Sequence, residues 1–309
     1  MDINLSTIIV NYNTHQLLDA CLSSLFEYNT SLSIEVIVID NNSQESGFDE
    51  IVSKFKDLVI IKNKSNLGFG KANNQGIEIA KGKYILLLNS DTYFTEDTLS
   101  KVHKYLETKN EKIILGCRLL NADSTLQHSV SDFPGFRESF MSNFFLYKVF
   151  PKKKFFNKYH LMNKELNSVS EVDIVTGAFM IGKTEFFKEL KGFDERFFFY
   201  FEEIDLCYRV KQNGGKIVYF PETEIYHVGG GSANSYSFFK YSNQSISTIK
   251  FYQKHFKGLK FTGCLINHYT GILIRIPLFF FGGLIKKSLF ERAKIYCKLL
   301  TIYPKNDFK

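Results

Sequence analysis

Apolar residues in the first 120 positions fall into short unbroken runs separated by segments of helical spacing. "LSTIIVNYN" (5–13), "EVIVIDNNS" (35–43), "LVIIKN" (58–63) and "KYILLL" (83–88) read as buried strands, with "KIILG" (112–116) a short fifth. Between the first two, "THQLLDACLSSLFEY" (14–28) places apolar residues at 17, 18, 21, 22, 25 and 26, the repeat of one helix face. "GKANNQGIEIAKG" (70–82) reads as helical despite its interior glycine, and another helix is expected to begin near Thr95. Strands without a polar face, alternating with helices, predict an α/β fold built on a parallel-centred sheet covered on both sides.

In such sheets ligands bind beyond the carboxyl ends of the strands. Those ends are polar here. The first closes in Asn11-Tyr12-Asn13, the second in Asp40-Asn41-Asn42-Ser43, and the fourth in Asn89-Ser90-Asp91. The third leads into "NKSNLGFGKANNQG". One polar strand end is an ordinary turn; four on one sheet edge point to a site.

The second half is less regular. Residues 133–165 are rich in Phe, Lys and Asn without a clear period and read as a variable, partly helical insertion. "EVDIVTGAFMIGKTEFFKEL" (171–190) reads as a strand, a glycine turn and a helix. "GFDERFFFYFEEIDLCYRVKQNGG" (192–215) puts an acidic cluster, Glu202-Glu203-Ile204-Asp205, at the start of a helix. "KIVYFPETEIYHVGGGS" (216–232) adds a strand ending in His227 before three glycines.

With 309 residues, 44% of them hydrophobic, the chain has enough length and apolar content for a soluble domain with an appendage. Its five cysteines, at 21, 117, 207, 264 and 297, form no metal-ligand spacing and read as reduced thiols of a cytosolic protein. No secretion signal is read at the N-terminus. The charge of +7 is unevenly placed: residues 250–309 carry twelve Lys/Arg against Glu291 and Asp307, so the preceding 249 residues are net acidic. Nucleic acid is one conceivable partner for such a tail, but none is expected, because the tail also holds "GILIRIPLFFFGGLI" (271–285). Arg275 and Pro277 leave that run too short and interrupted for a membrane span. Apolar clusters beside Lys286, Lys287, Arg292, Lys294 and Lys298 suit the interface of an anionic membrane. A helical hairpin packed on its own core with a solvated basic face is the alternative.

"IIVNYN", "VIDNNS", "NLGFGKANNQG", "LLLNSDT", "GFDERFFFYFEEIDLCYR" and "HVGGGS" occur in this order over roughly residues 5–255. Together they resemble the family 2 inverting glycosyltransferases, and most of all the rhamnosyltransferase-like branch that builds bacterial surface polysaccharides. The resemblance implies a GT-A fold over 1–255: a single Rossmann-like domain with a mixed central sheet, a donor-binding half (1–120) and an acceptor and catalytic half (121–255). Residues 256–309 would be a basic, apolar helical segment peripheral to the inner face of the cytoplasmic membrane. Implied partners are a dTDP- or UDP-sugar donor, a glycan or lipid-linked saccharide acceptor, and a divalent cation, Mn²⁺ or Mg²⁺.

By the same resemblance, Asp91 ends a variant of the family's DxD motif and takes the metal, a hard oxygen ligand suited to a cation bridging to phosphates. Asn89, in place of the first acid, would contact the ribose. Asp40 would bond the pyrimidine base or, alternatively, only cap the Asn41–Asn42 turn; Asn11 and Tyr12 would line the same pocket. Gly68 and Gly70 would let backbone approach the donor, and Lys71 would meet a phosphate or remain a solvated helix residue; Asn66 and Asn73 rank behind them. His227 would complete the metal site, its other reading being a satisfied structural histidine. Glu203 holds the position of the family's catalytic base, where Asp is usual, and would take the acceptor's proton. Glu202 and Asp205 would border the acceptor, or the cluster would only favour the helix N-terminus. Phe179 and Phe201 would stack on the acceptor sugar unless they are core, and Asp194 would organise its turn. Nucleotidyl transfer and a non-catalytic membrane scaffold are the competing functions.

Overall fold

The computed structural model describes residues 3–150, 152–153, 155–156, 167–229, 237–305 and 307. Much of the expected 133–165 insertion and the glycines after Gly229 in "HVGGGS" lie outside the described residues. The chain divides into two compact units: residues 1–132, 163–198 and 202–232 form the first, and residues 133–162, 199–201 and 233–309 the second.

The first unit is built on one mixed sheet. Its strands are β1 (Leu5–Asn11), β2 (Ile34–Asp40), β3 (Leu58–Lys62), β4 (Tyr84–Asn89), β5 (Thr92–Tyr93), β6 (Ile113–Leu120), β8 (Ser170–Val172), β10 (Phe179–Lys183) and β11 (Lys216–His227). They lie in the order β3-β2-β1-β4-β10-β6-β11-β5, with β8 on β11. A separate pair joins β7 (Val130–Ser131) to β9 (Ile174–Val175). β1 runs parallel to both β2 and β4, whereas β10 is antiparallel to β4 and β6. The apolar runs form this sheet because it is buried on both faces: Ile8, Ile9, Ile37, Val38, Leu86 and Leu87 have almost no exposed surface.

Helix α1 (His15–Tyr28) buries Leu18, Cys21, Leu22 and Leu25, the face its sequence period marks. α2 (Phe48–Ser53) and α4 (Thr98–Glu107) add Phe48, Val52, Leu99 and Val102 to the same core. α4 begins three residues later than expected from Thr95 because Asp97 accepts a hydrogen bond from the Ser100 N–H at 3.1 Å and fixes the cap. α3 (Phe69–Ile79) follows the glycine loop. Register then sets the site: Asn11 pairs with Asp40, and Val10 with Asn89, so the polar ends of β1, β2 and β4 are level. The chain leaves β1 for β2 on one side and reaches β4 on the other, the switch point at which such sheets open a crevice.

The second unit is helical. Its elements are α5 (Phe136–Asn143), α6 (Leu146–Val149), α9 (Phe238–His255), α10 (Gly258–Gly283) and α11 (Lys287–Leu299), with α7 (Thr184–Glu189) and α8 (Glu202–Gln212) belonging to the first. Ile249, Phe251, Tyr252, Cys264 and Ile272 form its interior. The expectation of a short, interrupted apolar run is corrected here. α10 is continuous for 26 residues, passes through Arg275 and Pro277, and is long and apolar enough to cross a membrane by length and composition. The Arg275 head stays inside the helix's own surroundings, bonding the Gly271 carbonyl at 2.8 Å and Asn143 Oδ1 at 3.0 Å.

Candidate active site

The short turn Asn89–Thr92, which carries the chain from β4 to β5, brings the opening of the site together. β5 is only two residues long, but its antiparallel pairing with β11 sets Thr92 opposite His227 and Tyr93 opposite Tyr226, whose rings stack at 4.7 Å. Asp91 is therefore carried to the end of β11, and its carbonyl accepts from the Val228 N–H at 2.9 Å. Asp91 Oδ1 lies 3.2 Å from His227 Nε2, and Asn89 Nδ2 lies 3.3 Å from the same nitrogen.

Gln127 fixes the imidazole. Its Nε2 donates to Asn121 Oδ1 (2.8 Å) and to the His227 carbonyl (3.1 Å), which leaves its Oε1 to accept from His227 Nδ1 at 2.6 Å. With the proton on Nδ1, Nε2 is left as an acceptor, 3.3 Å from the Asn89 amide and 3.2 Å from the Asp91 carboxylate. Two acceptors 3.2 Å apart call for a proton or a cation between them. One carboxylate oxygen and one imidazole nitrogen, the latter braced by an amide, fit a divalent ion that accepts mixed oxygen and nitrogen ligands. Among the described residues no group of three or more His, Cys, Asp or Glu gathers for a metal, so water or substrate oxygens would complete such a shell. Behind this turn, Cys21 Sγ sits 3.7 Å from the Asn89 carbonyl; burial pushes its thiol up to about 12 and keeps it inert.

The ends of β1 and β2 are joined by a buried network. Asn11 is fully buried; its Nδ2 donates to Asp40 Oδ1 (3.1 Å) and Ser43 Oγ (3.0 Å), and its Oδ1 accepts from Thr14 Oγ1 at 2.9 Å. Thr14 Oγ1 also lies 2.8 Å from Ser90 Oγ, which ties the end of β1 to the Asp91 turn. Asp40 Oδ2 accepts from the Ser43 N–H at 3.3 Å, so the turn-capping reading and a presented carboxylate are compatible. Asn11 thus holds Asp40 and offers no free group of its own, whereas Tyr12 is half-buried at the edge.

The glycine loop is held by amides. Asn41 Oδ1 accepts from Leu67 N (3.0 Å) and Asn63 Nδ2 (3.1 Å), and its Nδ2 donates to Asn66 Oδ1 (2.9 Å) and to the Gly68 carbonyl (3.3 Å). Asn66 Oδ1 also takes the Gly68 N–H at 2.9 Å. Gly68 has φ +82°, and a Cβ there would stand 2.4 Å from the Phe198 carbonyl oxygen, so only glycine fits. Lys71 is exposed and pairs with Glu195 at 3.0 Å, while Asn73 is buried and donates to the Phe69 carbonyl.

The acidic cluster divides by direction. Glu203 is half-buried, its Cβ 3.7 Å from where a Cβ on Gly177 would stand. The adjoining Ala178 carbonyl accepts from Asn89 N at 3.1 Å, so the Thr176–Ala178 turn lies between Glu203 and the start of the Asp91 turn. Burial raises Glu203 above the usual carboxylate range, against the pull of the Glu203 and Ile204 N–H groups. Glu202 is buried against the Gly70 backbone and Phe193, with Oε2 lacking a hydrogen-bond partner; burial and the neighbouring Glu203 charge hold it well above that range. Asp205 has no exposed surface and pairs with Arg209 Nε at 2.7 Å, while the same guanidinium clamps the Leu190 and Gly192 carbonyls. Asp194 accepts from the Arg196 backbone and guanidinium, organising its turn.

Two expected acceptor aromatics are corrected. Phe179 is 1% exposed because its strand position faces the core, and Phe201 is buried with its ring 5.7 Å from that of Phe251. Neither ring has a free face for a sugar. No pattern in the sequence singles out Gln127, Thr14 or Asn74, and Asn41 shows there only as a turn residue; Asn74 brackets Phe193, donating to its carbonyl (2.9 Å) and accepting from its N–H (2.8 Å).

A model of the family described as Glycosyl transferase family 2 matches residues 6–189. Rhamnosyltransferase WbbL of Escherichia coli (strain K12) is 28% identical over 214 residues, 63% of this chain and 78% of that protein. The N-acetylglucosaminyl-diphospho-decaprenol L-rhamnosyltransferase of Mycobacterium tuberculosis (strain ATCC 25618 / H37Rv) is 24% identical over 234 residues, 72% of this chain and 75% of that one. Among solved structures, mannosyltransferase PcManGT of Pyrobaculum calidifontis with GDP-Man and Mn²⁺ superposes with a TM-score of 0.57 at 14% identity, covering 97% of this chain and 86% of that chain. TarS 1–349 of S. aureus gives 0.52 at 14%, covering 99% and 95%. At these identities the likeness speaks to the fold, and that fold is GT-A.

Proposed function

Because the chain belongs to glycosyl transferase family 2, we propose that it is an inverting, metal-dependent hexosyltransferase using a nucleoside-diphosphate sugar. The donor is dTDP-rhamnose or, by the same groups, a UDP-hexose, and the acceptor is a lipid-linked saccharide at the cytoplasmic membrane face, in surface polysaccharide synthesis. Similarity to WbbL and to a rhamnosyltransferase named for a diphospho-decaprenol acceptor supports this choice. The observation that carries it is the Asp91–His227 pair, braced by Gln127 at the carboxyl edge of the sheet. Nucleotidyl transfer and a scaffold role have no comparable support.

In this reading Asn11 and Ser43 hold the Asp40 carboxylate toward the base of the donor. The amide-braced loop at Gly68 brings backbone against the donor. Asp91 Oδ1 and His227 Nε2 would hold a divalent ion, which when bound offsets charge on the departing diphosphate. Glu203 accepts the proton of the acceptor hydroxyl as that oxygen bonds to the anomeric carbon. The bond from that carbon to the diphosphate oxygen breaks, and the electron pair leaves with the diphosphate.

Thermal stabilisation by UDP, dTDP, GDP, CMP and ATP, with and without Mn²⁺, tests the donor site in wild type and Asp91→Asn. Stabilisation by UDP or dTDP that requires Mn²⁺ and is lost in the variant is the expected result. A folded protein indifferent to every nucleotide would overturn the proposal.

A further inference from the structure

The apolar helix of the second unit has two unlike sides. Leu259, Ile266, Leu273 and Phe280 recur every seven residues and are 93%, 62%, 54% and 46% exposed. At about 100° and 1.5 Å per residue they make one stripe about 32 Å long. This row of exposed large apolar side chains, with Thr262 and Thr270 between them and the Phe280 ring 5.4 Å from that of Phe290, marks an interaction surface. The other side is polar and occupied. Asn267 Nδ2 donates to the Phe136 carbonyl at 3.1 Å, and Asn143 Nδ2 donates to the Asn267 carbonyl at 2.7 Å. Arg275 bonds Asn143 Oδ1 and the Ser142 carbonyl, and His268 Nε2 meets Ser245 Oγ at 2.8 Å. Gly271 has no side chain because Asn143 Oδ1 stands 2.2 Å from where its Cβ would be. α10 is thus tied to α5 and α9 along its length.

Charge selects the partner. Exposed Lys257 and Lys260 stand at the start of the stripe and Lys286 and Lys287 just past its end, and no Asp or Glu occurs between Lys250 and Phe290. This complements an anionic lipid surface, with apolar side chains entering and lysines at the headgroups.

We infer that α10 lies in the plane of an anionic bilayer, inserting Leu259, Ile266, Leu273 and Phe280, and does not cross it. The inference rests on the membrane-side acceptor proposed above and adds the mode of contact. Length and composition alone would permit a crossing. Crossing would require Arg275, Asn267 and His268 to leave their partners, or α5 and α9 to follow them into hydrocarbon with charged residues such as Arg137, Glu138 and Lys240.

Two measurements on the full chain test this. In flotation with phosphatidylglycerol/phosphatidylcholine vesicles, Ile266→Glu/Leu273→Glu should partition at least tenfold more weakly than wild type, with nucleotide-induced thermal stabilisation unchanged as the folding control. In a Cys297→Ser background, Lys257→Cys and Ser288→Cys flank the helix. On inside-out membrane vesicles of expressing cells, both should react with an impermeant maleimide. Protection of one of the two shows a crossing and overturns the in-plane mode while leaving membrane association intact. Undiminished flotation of the double variant overturns the stripe as the docking face. A wild type that binds nucleotide but floats with no vesicle overturns membrane docking and leaves sugar transfer standing. A wild-type dimer dissociated by the double variant would reassign the stripe to a second copy of the chain.

Discussion

His227 Nδ1 is held at 2.6 Å by Gln127 Oε1, and this contact turns the opposite ring nitrogen toward Asp91 at 3.2 Å. Gln127 bonds the ring nitrogen remote from Asp91, and so sets which nitrogen carries the proton. Gln127→Leu should weaken Mn²⁺ binding by about 10–100-fold, the usual effect of losing a residue that braces a ligand histidine. Gln127→Glu still accepts the Nδ1 proton but turns its second oxygen on Asn121 Oδ1 and the His227 carbonyl, so it should recover only part of the affinity. Mn²⁺ titration in the presence of nucleotide, followed by thermal shift, reads both. Equal Mn²⁺ affinity in wild type and the leucine variant would remove Gln127 from the site.

Asn11 makes the corresponding link at the base end. Fully buried, it joins Asp40, Ser43 and Thr14. Asn11→Ala leaves the Asp40 and Thr14 groups short of a partner and should cost about 1–3 kcal/mol in urea unfolding. Its donor KM should rise more than its kcat falls, because Asp40 loses its partner directly, while Glu203 keeps its contacts and the Asp91 turn is reached only through Thr14 and Ser90. An unchanged donor KM with the stability loss intact would make Asn11 structural only.

The sequence revealed most where the chemistry follows strand geometry. Unbroken apolar runs ending in Asn11, Asp40 and Asn89 marked three parallel neighbours, and register brings those residues level. Gln127 stayed hidden because it meets His227 across 100 residues, from an irregular segment after β6 that shows no period. Phe179 and Phe201 misled for another reason. Aromatic content gives no direction, and packing turned both rings inward. Pro277 and Arg275 suggested a broken helix, but α10 runs on through both, and the Arg275 guanidinium is taken up by Asn143 of α5 and the Gly271 carbonyl.

The donor loop depends on one backbone contact. Gly68→Ala places a methyl 2.4 Å from the Phe198 carbonyl oxygen at φ +82°. The strained conformation alone costs of order 1–3 kcal/mol, and the overlap adds displacement of the loop. Gly214 is the control: its φ is +72°, but a Cβ there meets nothing within 4 Å. Gly68→Ala should therefore lower the urea midpoint more than Gly214→Ala and, unlike it, abolish nucleotide-induced stabilisation. Matching losses in the two variants would show that loop placement against Phe198 does not matter.

Glu202 and Glu203 give the pH dependence. Glu203 must be ionised to accept a proton, and burial raises it above the ordinary carboxylate range, so transfer should fall off on the acid side at a higher pH than an exposed glutamate would give. Glu203→Gln should lose about 10²–10⁴-fold in transfer while still being stabilised by nucleotide. Glu202 sits higher still, buried with Oε2 unpartnered beside that charge. The folded chain thus keeps a proton on Glu202 that the unfolded chain releases above about pH 4.3. In that window the unfolded state binds fewer protons, so stability declines as pH rises toward the raised folded value. Glu202→Gln retains the neutral shape and removes this decline. It should flatten stability against pH and gain of order 1 kcal/mol over wild type at the alkaline end of the window. Urea unfolding of both proteins from pH 5 to 9 checks the sign; parallel curves would mean that Glu202 is ionised in the folded protein.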